Sequence, residues 1–430
     1  MKKYIKKLPR ELREAIRQVS GVSEEIRMPA YLVGGCLRDL ILGVKNLDLD
    51  IAIEGSGIIF AKHLAQKLKA NLKIYERFGT ATLILNNGLK VDISTTRQEE
   101  YPHSAALPVV SSGSLTEDLK RRDFTINAMA LSLGADGGQA TIDPYGAQID
   151  LAAGRIRILH NLSFQDDPTR IFRAIRFSHR FNFKLEPKTL ALLKEAISDS
   201  LLNKVNPHRM RDELILILKE QNPYGLIKAL GDLGALSFIS PKLKIGKSTQ
   251  VLFRSIAKKI SGFMANFPAR RQLDIWLVYF MALLEPFTLL EIKVIIHRLG
   301  LPKGDQKRII SYCREEDKLI SFLSKKQVLP ERIFSLLEPL SYEMIILVSA
   351  ISQNINFKKH LADFFEIYNG MRLCVGGNDL GRLGVLPGPE YQEIFAKVLA
   401  AKLNGQVSNR RTELALIRKL VRANKQKRSV

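Results

Sequence analysis

The chain has 430 residues, 46% of them hydrophobic, with 66 Lys and Arg against 43 Asp and Glu and a net charge of +23. That length allows about two to four domains with substantial cores, and the apolar fraction excludes a disordered chain. The cationic excess points to an anionic partner, nucleic acid first, with an anionic membrane surface or bare solubility as the plainer readings.

In chain order, Ile5, Leu8, Leu12 and Ile16 have the spacing of an amphipathic helix within residues 1–28. "AYLVGG" and "LDLDIAI" read as strands on either side of a helix, "GGCLRDLILG". "IIFAKHLAQKLKA" reads as a helix with Ile59, Leu64 and Leu68 near one face. "ATLILNNGLKVDIS" is a hairpin turning at Asn87-Gly88. Residues 95–117 carry Pro102, Pro108 and a Ser/Gly cluster and read as a long loop. "LTEDLKRRDFTINAMALSL" resumes a helix with Thr116 as N-cap, placing Arg122 and Asp123 in its first turns. Beyond Asp166 leucine-rich helical segments follow one another without a fixed repeat, broken at Pro and Gly. A turn-rich stretch, "CVGGNDLGRLGVLPGPEY", precedes basic final helices with nine Lys/Arg and one acid from Lys402 to Val430. That end reads either as a solvated tail or as a nucleic-acid contact.

Cys36, Cys313 and Cys374 stand far apart without a CxxC, and the seven His show no HExxH, so neither a disulfide framework nor zinc is expected. No apolar run approaches the roughly 18 residues of a membrane span, and the basic N-terminus lacks a signal-peptide core. A cytoplasmic location without a membrane partner is therefore expected.

Three clusters carry chemistry. Asp48 and Asp50 are two apart on a strand, so both point to one face, roughly 6.5–7 Å apart, while Leu47, Leu49 and Ile51 take the other. Side-by-side carboxylates repel, so the pair is either a solvated face or a seat for a hard cation such as Mg²⁺. Gly34 and Gly35 open a helix whose free N–H groups favour phosphate, and Arg38 lies about one turn inside. Neither GxGxxG nor a Walker A pattern is present, so a dinucleotide fold and a P-loop are not indicated. Arg122, in "KRRDFTINAMA", reads as a surface basic patch or a triphosphate contact. In "FQDDPTRIFRAIRFSHRFNF", Pro168 suits a first helical turn with Asp166 and Asp167 at its N-terminus. At about 100° per residue, Arg170, Arg173, Arg176 and Arg180 share an arc of roughly 120° with Phe177, opposite Ile171, Phe172 and Ile175. That arc is either a solvated basic face or one that reads phosphate or base edges, with Asp167 and Arg170 supplying an acceptor and donors. Asp92, in "LKVDIS", is a third acid if its strand borders the Asp48/Asp50 strand, and otherwise faces solvent.

Together, "GGCLRDLILGVKNLDLDIAI", "RRDFTINAMA", "DPYGAQIDLAAGRIRIL", "DDPTRIFRAIRF" and "NPHRMRDELILIL" resemble, in order and spacing, the class II tRNA nucleotidyltransferase/poly(A) polymerase family. The match covers residues 30–220, and "GGNDLGRLGVLPGPEYQEIFAKVL" looks like the family's C-terminal tRNA-contacting part. The resemblance implies an α+β nucleotidyltransferase head with a mostly antiparallel sheet, followed by all-α neck, body and tail domains. The expected division is an N-terminal helix at 1–28, head at 29–160, neck at 161–220, body at 221–365 and tRNA-binding tail at 366–430. It implies untemplated addition of AMP, or of CMP, CMP and AMP, from ATP and CTP to the 3′ end of tRNA. Asp48 and Asp50 would hold two Mg²⁺ ions; Gly34, Gly35, Arg38 and Arg122 match triphosphate- and nucleotide-contacting positions. Asp167 and Arg170 match the base-reading pair, and Arg173 and Arg176 further nucleotide contacts.

Where members often have Glu-Asp-x-x-Arg, this chain has Asp166-Asp167-Pro168-Thr169-Arg170, so the reading pair is retained. "TTRQEEYPHSAALPVV" looks closer to members that add only the terminal A. The phosphohydrolase HD pattern of some bacterial members is not seen. The alternatives are a poly(A) polymerase tailing other RNAs, which shares the head, and a non-catalytic RNA-binding protein, against which the intact Asp48/Asp50 pair argues.

Overall fold

Among the described residues eleven strands shape the first half of the chain: β1 (Ala30–Val33), β2 (Asp48–Ile53), β3 (Asn71–Tyr75), β4 (Thr80–Ile84), β5 (Lys90–Thr95), β6 (Arg97–Glu100), β7 (Val109–Ser112), β8 (Ala130–Ser132), β9 (Thr141–Ile142), β10 (Arg155–Ile156) and β11 (Lys184–Leu185). Seven of them form one sheet in the order β3-β4-β5-β2-β1-β8-β9. Every pairing in it is antiparallel except that of β2 with β5. The computed structural model describes residues 5, 8–44, 48–134, 140–269 and 272–428, and two compact units divide the chain, Met1–Lys242 and Leu243–Val430. The segments expected as head and neck both fall in the first unit.

Alternation along β2 decides what the sheet does. Leu49, Ile51 and Ile53 are buried on one face, and Leu47 lies outside the described residues. Asp48, Asp50 and Ala52 share the other face. Ala52 is sealed there by Leu115 and Leu119 of the short helix Leu115–Lys120, in a cluster with Val33 and Ala130. That helix covers one end of the face and leaves Asp48 exposed and Asp50 half-buried.

Several local expectations change. The helix Gly57–Leu68 buries Phe60, Ala61, Leu64 and Ala65, and Ile59 points to solvent. Phe60, one position on, joins Leu64 on the buried face in place of Ile59. The expected loop over 95–117 contains the β6/β7 hairpin, paired from Arg97↔Ser112 to Glu100↔Val109. The N-cap of the next helix is Ser114 and not Thr116, and it forms a full capping box with Glu117. That helix ends at Lys120, so Arg122 and Asp123 lie beyond its C-terminus. Ile126 follows in a 3₁₀ turn, Thr125–Asn127, and Ala130 begins β8.

The second unit is helical. Helices Lys247–Asn266, Ile275–Leu284, Lys303–Leu323 and Tyr342–Ile351 pack around aromatic and aliphatic side chains. A π-helical turn, Phe364–Tyr368, follows the helix Ile355–Asp363. Toward the C-terminus Val375, Leu380, Ile394, Val398, Ile417 and Val421 form a core of their own. Buried Glu413 ties it by accepting from the Cys374 and Val375 N–H groups and from Lys402 Nζ. Among the described residues no single helix is long and apolar enough to cross a membrane.

Candidate active site

A cavity of about 480 Å³ opens in the first unit. Six arginines line it (Arg38, Arg121, Arg122, Arg170, Arg173 and Arg176) against three acids, Glu99, Asp123 and Asp167. Gly34, Gly35, Tyr101, Asn127 and Phe177 complete the lining. Eight of the predicted site residues therefore meet here; Asp48 and Asp50 are not on the wall, and Asp50 adjoins it through Gly34.

Gly34 has φ +66°, and a Cβ there would stand 2.8 Å from Arg122 Nη1 and 3.8 Å from Asp50 Oδ2. Only glycine lets the helix Gly34–Leu42 start this close to both groups. On the acid face, β2 and β5 run parallel with Asp50 opposite Asp92. Burial pushes the Asp50 carboxyl up; Asp92 and Asp48 push the same way, while the Arg122 guanidinium and the Cys36 N–H oppose them. Asp92 is tied down by Thr82 Oγ1 at 2.6 Å and by Lys90 Nζ. It is therefore a neighbour of the pair held by its own partners, and no group of three metal-ligating side chains occurs among the described residues.

The arginines are fixed from behind. Asp118, fully buried, accepts from Arg121 Nη2 and Arg122 Nη2, each at 2.7 Å. Burial alone would raise the Asp118 carboxyl, but the Arg122 and Arg121 guanidinia outweigh it and hold it below its ordinary value. Asp123 accepts from Arg173 Nε at 2.8 Å and from Asn127 Nδ2 at 2.8 Å. Arg173 and Asn127 likewise overcome the burial of Asp123 and lower it. Asn127 Oδ1 in turn accepts from Arg38 Nη1 at 2.7 Å. Arg38 also donates to Asp39 and stacks over Phe177 and Phe181, 5.2 and 4.7 Å from their centroids. It is buried and held on three sides, so its charge acts from the wall and not as a mobile arm.

The arginine helix runs Arg170–Phe181 with Thr169 at its N-cap. Pro168 precedes the cap and is not in the first turn, and Asp166 closes the short helix Ser163–Asp166. Arg170 is 4% exposed and Arg176 8%, which excludes the solvated-face reading for them, whereas Arg180 is exposed. Arg170 Nη1 donates to Ser163 Oγ at 2.6 Å and to the Ser163 carbonyl at 3.5 Å, and Nη2 donates to the Arg121 carbonyl at 2.8 Å. Asp167 Oδ1 accepts from Thr169 N at 3.0 Å and Oγ1 at 2.6 Å, and Oδ2 accepts from Arg209 Nη2 at 2.8 Å. A carboxylate offers about four lone-pair sites and a guanidinium about five N–H donors, so one acceptor on Asp167 and two donors on Arg170 stay available. Glu213 bridges Arg173 and Arg176 only loosely, at 3.8 and 3.9 Å. Arg176 Nε and Glu213 Oε2 are buried without a hydrogen-bond partner.

Sequence reasoning did not assign Glu99, Tyr101, Arg121, Asn127, Arg209 or Glu213. The β6/β7 hairpin brings Glu99 and Tyr101, the Tyr101 hydroxyl donating to Glu99 Oε2 at 3.0 Å. Glu99 also accepts from Arg121 Nη1 at 3.1 Å. No periodic pattern in "TRQEEY" marked Glu99 or Tyr101. Arg209 and Glu213 stood in plain view in "NPHRMRDE", four apart and so on one face of the helix Pro207–Leu218.

Residues 30–157 match the family model described as the poly A polymerase head domain, and residues 182–245 the one described as a probable RNA and SrmB-binding site of polymerase A. The chain is 36% identical over 414 residues to an A-adding tRNA nucleotidyltransferase of Geobacter sulfurreducens, covering 95% of this chain and 47% of that protein. It is 31% identical over 408 residues to an A-adding tRNA nucleotidyltransferase of Halalkalibacterium halodurans, covering 94% and 92%. The chain thus spans about half the length of the first relative and nearly all of the second. Among solved structures, a CCA-adding enzyme in an apo form superposes with TM-score 0.76 at 32% identity, covering 96% of both chains. A Thermotoga maritima CCA-adding enzyme complexed with tRNA gives 0.70 at 31%, covering 98% of both.

Proposed function

Because the chain belongs to the tRNA nucleotidyltransferase/poly(A) polymerase family, we propose that it adds AMP from ATP, without a template, to the 3′ end of tRNA ending in CC. The observation that carries this reading is the cavity itself: six arginines around a nucleotide-sized space, with a same-face carboxylate pair next to its glycine mouth. In the reaction the tRNA 3′-oxygen bonds to the α-phosphorus, the bond to the β-phosphate oxygen breaks, pyrophosphate leaves and the hydroxyl proton is lost.

The residues fit divalent metal. Asp48 and Asp50 present hard oxygens on one face, and the Asp92 and Asp48 charges beside Asp50 add to a burial that favours its neutral form, which a cation would reverse. Mg²⁺ held there would supply charge stabilisation at the α-phosphate and on the departing pyrophosphate, and acidify the 3′-hydroxyl. Gly34 and Gly35 admit the triphosphate close to the backbone, and Arg122 offers it a guanidinium steadied by Asp118. Arg173 and Arg176, backed by Asp123 and Glu213, complete a cationic wall whose dipoles are set before substrate arrives. The acceptor left on Asp167 and the donors left on Arg170 match the Watson–Crick edge of adenine or cytosine, which pairs an amino group with a ring-nitrogen acceptor. Guanine and uracil carry the reverse pattern and are refused.

Choice of A over the whole CCA rests on the A-adding relatives; the CCA-adding structures support full CCA addition as the second reading. The test offers the protein tRNAs ending before the first C, after one C and after two, each with CTP, ATP or both. Incorporation of A alone, only onto the CC end, is expected. Full repair of the shortest tRNA supports the second reading, and long A tails on unrelated RNA would replace both with a poly(A) polymerase.

A further inference from the structure

The second unit has a cavity of about 290 Å³ that the head chemistry does not use. The helices Lys247–Asn266, Tyr342–Ile351 and Ile355–Asp363 and the π-helical turn Phe364–Tyr368 enclose it. Its floor is aromatic: Phe263, Phe267 and Phe365 pack on one another with centroids 5.6, 5.2 and 5.3 Å apart. Its rim is cationic, with Lys258, Lys259 and Lys358 against Glu366, the one acid among the described lining residues.

Among the described residues Lys258 and Lys259 have no hydrogen-bond or ion-pair partner, and Lys358 donates only to Gln353 Oε1, at 3.3 Å. Burial lowers the Lys259 ammonium, and Lys358 and Lys258 lower it further, so the rim is self-repelling as it stands. An anion set among the three amines removes that repulsion. Two polar side chains also line the space, Asn266 and the buried Ser349, which lies on an otherwise almost wholly apolar helix. An acyl chain would leave these groups without hydrogen bonds, whereas a nucleobase edge would satisfy them. The π-helical turn is a second mark of the site, since such turns are rare and frequently fall at functional sites.

We propose that this cavity is a second nucleotide-binding site, with the base against Phe263 and Phe267 and the phosphate among Lys258, Lys259 and Lys358. Stacking on aromatic faces beside a cationic rim is how unpaired nucleotides are held without strong sequence preference. The ligand is a free nucleotide or an unstacked nucleotide of bound RNA. The inference stands independently of the reading of the head, because it rests on different residues.

The test uses the full chain with EDTA present, so that nothing is transferred. Equilibrium dialysis counts bound ATP, and ultraviolet crosslinking followed by peptide mapping locates 8-azido-ATP and, separately, tRNA. Two ATP per chain are expected if the ligand is free nucleotide, one of them lost in the Lys259→Glu/Lys358→Glu double variant and the other in Arg170→Ala. One ATP per chain with tRNA crosslinks on peptides spanning 258–267 or 358–366, lost in the double variant, assigns the site to RNA. A single ATP with no crosslink of either probe on those peptides overturns the proposal. Phe267→Leu, which keeps the cavity apolar but removes the stacking face, serves as the check on folding: its crosslinking must fall while its melting temperature holds. Undiminished crosslinking in that variant also overturns it.

Discussion

Arg209 donates from Nη2 to Oδ2 of Asp167 at 2.8 Å, joining the helix Pro207–Leu218 to the carboxylate proposed to read the incoming base. With Thr169 on the other oxygen, this contact fixes the carboxylate plane and sets which lone pair is left for substrate. Arg209→Ala removes a charge-assisted hydrogen bond of about 1.5–3 kcal/mol, so discrimination between ATP and GTP should fall roughly 10- to 100-fold. Competition kinetics with the two nucleotides check it; unchanged discrimination would mean that Asp167 needs no such support.

Arg170 is anchored through Ser163 and the Arg121 carbonyl, well inside the cavity. Arg170→Ala is expected to impair nucleotide choice while leaving tRNA affinity within about twofold, because base contacts carry specificity and phosphate contacts carry affinity. Incorporation ratios and filter binding on the same preparation separate the two. A variant that lost only tRNA affinity would remove this residue from the reading role.

The last helix, Arg410–Arg428, buries Ile417 and Val421 and leaves Arg411, Arg418 and Arg422 exposed. Truncation would break the local core, so the informative change is Arg411→Gln/Arg418→Gln/Arg422→Gln. If these side chains meet RNA phosphates, the slope of log affinity against log salt flattens by roughly one unit for each phosphate-binding arginine replaced. An unchanged slope returns the helix to a solvated end.

Two acids in the second unit give a pH signature. Burial, with Glu316 and Asp317 nearby, pushes Glu285 to about 7, and burial with Asp317 pushes Glu316 to about 7, against an ordinary 4.5. The folded chain holds these protons more tightly than the unfolded one, so their stabilising contribution is complete below about 4.5 and is lost as pH rises through 7. The melting temperature should therefore fall between pH 5.5 and pH 8, and Glu285→Gln/Glu316→Gln should flatten that fall. Equal slopes in the variant and the parent would refute the assignment.

The regions readable from sequence were those where one period or one turn governs the chain. Alternation put Asp48 and Asp50 on the face opposite Leu49 and Ile51, and Asn87-Gly88 marked its hairpin. Harder to read were places where polar side chains compete for backbone groups. Ser114 and Thr116 both stand at the start of the same helix, and the reciprocal bonds with Glu117 make Ser114 the cap and leave Thr116 inside the first turn. The β6/β7 hairpin gave no periodic signal because Val109 and Val110 are exposed and its strands lack a buried face to impose alternation. The arginine helix was legible as an arc. Its burial was not, since it depends on Asp123, Ser163 and Glu213 arriving from elsewhere in the chain.

Asp48 and Asp50 are proposed to sit at the reacting end of the cavity. Single-turnover incorporation of AMP onto tRNA ending in CC, with tRNA binding measured alongside, tests it in Asp48→Ala and Asp50→Ala. Each variant should bind tRNA as the parent does, while transfer falls by about 10³-fold or more, the scale of losing charge stabilisation in a transition state. Transfer at the parental rate in either variant would contradict it.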